Sequence, residues 1–275
     1  SRMKVRHEIL NGKAVIAFLA CGYPNLKTTE EVAYALDRAG VDLIVLGIPF
    51  SDPTGEGSAL RKASECALKM AITTEHIFDL VQRVRQSTSI ALAFRTYANV
   101  VFSYGTVPFL KRAAHLGVNA LILNDVPYEE KEEFASVCRE VGVDYISLVT
   151  PTSKDRLENI AREAQGFIYL TSPSVEDGSI ETIRRFTSLP MVAECGAGES
   201  QPEQLAQRAA KADGIIIEST IMEMMADYGD NAPEIVGAYA KSVFEAVKGH
   251  SHLKKRVESP THARVIPTRT ASSNP

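Results

Sequence analysis

From Ala14 onward, short apolar runs alternate with segments of helical period, and the alternation returns roughly every 25 to 40 residues. Chains that keep this rhythm build parallel strands joined by crossover helices. Eight strands are predicted: 14–20, 43–47, 90–96, 120–123, 144–149, 167–171, 191–194 and 214–217. Each is apolar almost throughout, as a strand covered on both faces must be. Helix openings are expected at Thr28, Ser58, Pro108, Ser153 and Pro202, and left-handed glycine ends at Gly40, Gly117, Gly142 and Gly166. After the first strand, Cys21-Gly22-Tyr23-Pro24 offers one glycine where a dinucleotide-binding turn would want several. A single (β/α)8 TIM barrel is therefore expected, with an open eight-stranded sheet as the alternative.

The length of 275 residues fits either two average domains or one barrel, a fold that runs to roughly 250 residues. No long polar linker divides residues 1–248, which are assigned to one barrel domain. Residues 249–275 are polar, basic and broken by Pro260, Pro267 and Pro275, and are expected to form an irregular tail. The net charge of −4 gives no bulk attraction to nucleic acid or to an anionic membrane. Apolar runs stop short of the roughly 18 residues of a membrane span, and the first residues lack the apolar core of a secretory signal. Cys21, Cys66, Cys138 and Cys195 form no CxxC pair, so free thiols in the cytoplasm are expected and no zinc site. His76 and His115 fall on predicted helices away from any mouth.

In such a barrel the chemistry lies at the C-terminal ends of the strands and in the loops that follow. The second of these loops, within LGIPFSDPTGEG at 46–57, is long and carries Asp52 and Glu56. LGIPFSDP at 46–53, RTYANVVFSYG at 95–105, LNDVPYEEKEEF at 123–134, LVTPTSKDR at 148–156 and GFIYLTS at 166–172 together closely resemble the tryptophan synthase alpha chain family, in order from about Lys13 to about Lys248. The resemblance implies a place in tryptophan biosynthesis: a carbon–carbon lyase that splits indole-3-glycerol phosphate into indole and glyceraldehyde 3-phosphate. It also implies no cofactor in this chain, since pyridoxal phosphate belongs to a beta-chain partner, met through the loop Pro49 to Gly57.

Residue by residue, the resemblance puts Glu56 where the family has the Asp facing the indole nitrogen, and Val45 where it has its catalytic Glu. A lost acid/base group costs on the order of 100- to 10,000-fold in rate, so cleavage is expected to be weak. Tyr97 and Tyr169 match pocket tyrosines, Tyr169 being assigned with Glu56 to catalysis. Asn124 and Asp125 end the fourth strand, and Arg95 stands where the family has an apolar lining residue. Gly178, Gly196 and Ser219 survive from the glycine-rich turns that give backbone N–H groups to the phosphate. Glu176, Asp177, Glu194 and Glu218 bring new negative charge to that side, which would repel a phosphate dianion. Two other readings remain open. Arg95 pairs with Glu56, Glu194 or Glu218 and fills the old pocket of a non-catalytic relative that keeps a partner surface; or Arg95 anchors another small, carboxylated substrate while Glu194 or Glu218 acts as base, or the acids cage a divalent metal.

Overall fold

The computed structural model describes Val5, residues 13–49 and residues 58–249. Glu56, the rest of the loop after Pro49 and the tail from residue 250 lie outside the described residues. Within them run nine strands: β1 (Ala14–Ala20), β2 (Leu43–Gly47), β3 (Ala91–Thr96), β4 (Ala120–Leu123), β5 (Asp144–Tyr145), β6 (Ser147–Val149), β7 (Ile168–Leu170), β8 (Met191–Glu194) and β9 (Gly214–Ile217). All pairings between them are parallel, in the order β5-β4-β3-β2-β1-β9-β8-β7-β6.

The two outermost members of that row, β5 and β6, are separated in the chain only by Ile146, whose N–H donates to the Leu121 carbonyl at 2.9 Å. They are the two halves of one strand. Its first half pairs with β4 and its second with β7, so the sheet returns on itself and the open-sheet alternative is excluded. Such a stagger between neighbours is what closing a barrel of tilted strands requires.

Alternation within the strands sorts the core into layers. Ile16, Phe18, Val45, Ala93, Ile122, Tyr169, Val192 and Ile216 pack inside the barrel. Val15, Leu19, Ile44, Leu46, Phe94, Leu121 and Ile215 face the helices, which explains why the strands read as unbroken apolar runs. The predicted glycine ends at Gly40, Gly117, Gly142 and Gly166 all have positive φ, the conformation that glycine adopts at least cost. Three predicted openings are displaced: Pro108 is the third residue of the helix Thr106–His115, Ser153 sits three residues after Thr150, which opens its turn, and the helix Leu26–Ala39 starts at Asn25, whose side-chain oxygen accepts the N–H of Thr28 at 2.8 Å. Asn outcompetes a threonine three residues later because its oxygen reaches the free amides of the first turn.

At the N-terminal face, Lys248 at the end of the helix Ala232–Lys248 reaches Asp42, 2.6 Å away, while the other oxygen of Asp42 accepts the N–H of Val15. Among the described residues, no helix is long and apolar enough to cross a membrane.

Candidate active site

The inward-facing positions at the C-terminal ends of the strands form the mouth. Gly47 ends β2 without a side chain, and a Cβ there would come within 2.5 Å of the Phe18 ring. The tip of the Phe18 ring therefore occupies the position that glycine leaves open. Arg95, paired in register with Gly47, stacks its guanidinium 4.0 Å from the Phe18 centroid. Its two terminal nitrogens donate to the two oxygens of Glu218 at 2.9 and 2.6 Å, a planar fork in which both partners are satisfied. Burial alone would discourage the charge on Arg95, which is 7% exposed, but the carboxylate of Glu218 outweighs it and the guanidinium's pKa moves up. Of the three acids left open by sequence, Glu218 is thus the partner. The fork is filled, which removes Arg95 as a free anchor for a substrate carboxylate.

Val45 sits one layer deeper on β2, fully buried among Phe18 and the other interior residues. Glu194, inward-facing at the end of β8, accepts the N–H of Ser172 at 2.9 Å and a hydrogen bond from the Tyr169 hydroxyl. Burial pushes the Glu194 carboxyl above the usual range, with Glu218 adding to the effect, while Ser172, Arg95 and Tyr169 oppose it. Burial likewise raises the Tyr169 phenol, which stays protonated at neutral pH. Glu194, Gly196, Glu218 and Ser219 border one cleft of about 410 Å³, a size suited to a small molecule. Arg95, Glu194 and Glu218 therefore converge at the mouth.

The predicted phosphate side is rearranged locally. Glu176 turns away to pair with Lys211 on the surface, so it adds no charge to the cleft, contrary to expectation. Its neutralising partner is 35 residues away in sequence and could not be read from a turn. Asp177 bonds the N–H and hydroxyl of Ser179, next to Gly178, which has φ +86° and precedes the helix Ser179–Arg184. Gly178 is exposed and does not border the cleft that holds Gly196 and Ser219. Glu199 accepts the N–H of Gly196 at 2.8 Å and is gripped by Arg208. Three backbone N–H groups near the mouth, those of Ser172, Ser179 and Gly196, are thus held by the chain's own carboxylates.

Tyr97 is nearly buried and, with Asn124, borders a small recess beside Phe18 and Arg95. Asp125 points sideways: its carboxylate accepts the N–H of Ala98 at the start of the helix Ala98–Tyr104, a structural duty rather than a contact with the cleft. Asn124 and Asp125 also border a second cavity of about 390 Å³, where the fifth strand divides. Cys195 lies beside Glu194, and burial pushes its thiol up to about 12, so it is no thiolate at neutral pH. His76 and His115 are exposed on helices. Among the described residues, no group of three or more His, Cys, Asp or Glu is placed to hold a metal. Sequence reasoning missed Phe18, Ser172 and Glu199. Only Phe18 gave a signal, as a large ring at an inward position of β1 facing the glycine at the end of β2.

A profile of the tryptophan synthase alpha chain family matches residues 5–250. The alpha chain of Lacticaseibacillus casei is 36% identical over 254 residues, covering 88% of this chain and 95% of that protein. That of Halalkalibacterium halodurans is 38% identical over 242 residues, covering 82% and 90%. Among solved structures, the alpha subunit from Legionella pneumophila str. Paris aligns with a TM-score of 0.82 at 25% identity over 89% of this chain and 98% of that one. The tryptophan synthase complex from Pyrococcus furiosus contains a chain that aligns with a TM-score of 0.77 at 26% identity, covering 85% and 98%. The closed barrel, the ordered motifs and these likenesses agree: the chain belongs to the tryptophan synthase alpha chain family.

Proposed function

We propose that this chain is a carbon–carbon lyase of the tryptophan synthase alpha type whose cleavage of indole-3-glycerol phosphate to indole and glyceraldehyde 3-phosphate is weak. The observation that carries the proposal is Val45: an apolar side chain with no exposed surface fills the position that the resemblance gives to the catalytic Glu. Valine can neither give nor take the proton the retro-aldol step needs, and such a loss costs on the order of 100- to 10,000-fold. In this reading Glu56 and Tyr169 act in catalysis, while Tyr97 and Asn124 line the indole side and Asp125 holds the adjoining helix start. Gly178, Gly196 and Ser219 would serve the phosphate. The Gly196 N–H must first be released by Glu199, and Asp177 holds the amide next to Gly178, which weakens substrate binding further.

No cofactor is assigned to the chain; pyridoxal phosphate would reside in a beta-chain partner, engaged through the loop Pro49 to Gly57. That a solved neighbour is a tryptophan synthase complex supports such a partner. The four free cysteines accord with a cytoplasmic setting. Indole release by the purified protein, with and without a beta chain, tests the proposal: slow turnover is expected in both, and turnover at the rate of an ordinary alpha chain overturns it. The filled Arg95–Glu218 fork favours a second reading, a relative retaining only the partner surface; binding of a beta chain with no detectable cleavage would select it.

A further inference from the structure

We infer that Glu194 is the group that moves protons in this mouth, so that the acid/base function missing from Val45 on β2 has a replacement across the barrel at the end of β8. The inference rests on the lyase reading above and names the residue through which residual chemistry would run.

Four carboxyls border the cleft; Glu223 is exposed to water, and the other three can be compared by what holds them. Both oxygens of Glu218 are committed to the Arg95 fork. Both oxygens of Glu199 are committed to Arg208, one of them also to the Gly196 N–H. Among the described residues Glu194 meets no cation in a salt bridge; it is oriented by one backbone N–H and one phenol, and it borders the 410 Å³ cleft. A proton carrier needs this combination: fixed direction, access to the ligand, and no permanent cation that would hold it ionised.

The groups facing it come from every neighbouring element. Arg95 on β3 lowers its proton affinity, as do Tyr169 on β7 and Ser172 beyond it, whereas burial and Glu218 after β9 raise it. The net effect keeps the proton on the carboxyl nearer to neutrality than for an ordinary glutamate, the direction that general acid catalysis wants.

The step balances without a further reactant. Protonating C3 of an indole breaks the Glu194 O–H bond and forms a C3–H bond with the pair from the enamine double bond, leaving a ring cation. In the reverse direction the carboxylate takes a proton from C3 and the pair returns to the ring. In D2O the net result is exchange of the C3 hydrogen of indole, a half-reaction that needs no phosphate site.

The test is proton NMR of free indole in D2O with the purified protein, following loss of the C3–H signal. Exchange above the buffer rate is expected, falling as pH rises through the Glu194 titration. Glu194→Gln, with folding verified by its thermal melt, is expected to slow exchange about 100-fold or more. Glu194→Asp, which keeps a carboxyl, is expected to retain part of the rate and the same pH direction. Exchange no faster than buffer, or exchange unchanged in either folded variant, overturns the inference. Cleavage of indole-3-glycerol phosphate is assayed alongside: a normal rate overturns the weak-lyase reading alone, while exchange that responds to Glu194 with negligible cleavage upholds the inference.

Discussion

Two buried ion pairs sit at opposite ends of this barrel and do different work with similar chemistry. At the N-terminal face, Lys248 and Asp42 are 9% and 5% exposed and 2.6 Å apart, and the spare oxygen of Asp42 takes a backbone N–H of β1. The pair ties the last helix to the first two strands. At the C-terminal face, Arg95 and Glu218 are equally close, yet Arg95 stacks on Phe18 and Glu218 borders a cleft shared with Glu194. Evenly matched pairs of this kind offset much of their desolvation and add little net stability. What differs is the neighbour: one pair closes a structure, the other shapes the electrostatics of an acid that can still titrate.

The largest expected effect lies at the closed end. Asp42→Ala strands Lys248 and the Val15 N–H, and should cost about 3–5 kcal/mol in urea unfolding. A loss below about 1 kcal/mol would mean that the two ends are not comparable locks. At the mouth, Arg95→Met should cost a similar or slightly smaller amount, because Glu218 is partly exposed and water can reach it. The double substitution Arg95→Met with Glu218→Leu should recover most of that loss; a double mutant as unstable as the sum of the singles would show no coupling.

Val45→Glu sharpens the functional half of the comparison. In an otherwise intact site the restored carboxyl would be worth on the order of 100-fold or more in indole release. A much smaller gain is expected here, since Phe18 and Arg95 fill the mouth above and the nearby amides are occupied. Full rescue would place the defect in Val45 alone.

The pH effect is smaller and has opposite signs on two acids of the same cleft. Glu194, raised in the folded state, contributes stability that is complete below the unfolded glutamate pKa and fades as pH rises through its folded value. Glu199, lowered by Arg208, contributes stability present above the unfolded pKa and lost as pH falls through its folded value. Wild type should therefore lose melting temperature relative to Glu194→Gln between mildly acidic and alkaline pH; a constant difference would refute the raised titration. Smallest of all, Glu158→Gln removes an exposed pair with Arg162 one helical turn away and should change unfolding by no more than about 0.5 kcal/mol.

The barrel itself was legible because two-sided burial forces each strand to be continuously apolar, and the predicted strand limits differ from the observed ones by one residue at most, apart from the division of the fifth at Ile146. That division was hidden, since Asp144 to Val149 reads as one run and only the neighbouring strands decide where pairing changes sides. Arg95 and Glu194 were visible as charges out of place in apolar strands. Their partners were not: Glu218 lies 123 residues from Arg95, and Ser172 lies 22 residues from Glu194. The turn acids were over-read for a related reason, because sequence gives a carboxylate's position but not the local N–H or distant lysine that occupies it.

The divided fifth strand has a mechanical meaning. Two register pairs bind it to β4 and three bind it to β7, against five between β2 and each of its neighbours. The ring is a belt with its buckle at Ile146; the buckle has the shortest overlap in the ring on its β4 side, and on its β7 side no more than the three pairs that join β7 to β8 and β8 to β9. Tension carried around the circumference concentrates there, so the fifth strand is where the belt would first slacken while the broad opposite arc of β1, β2 and β3 keeps its form.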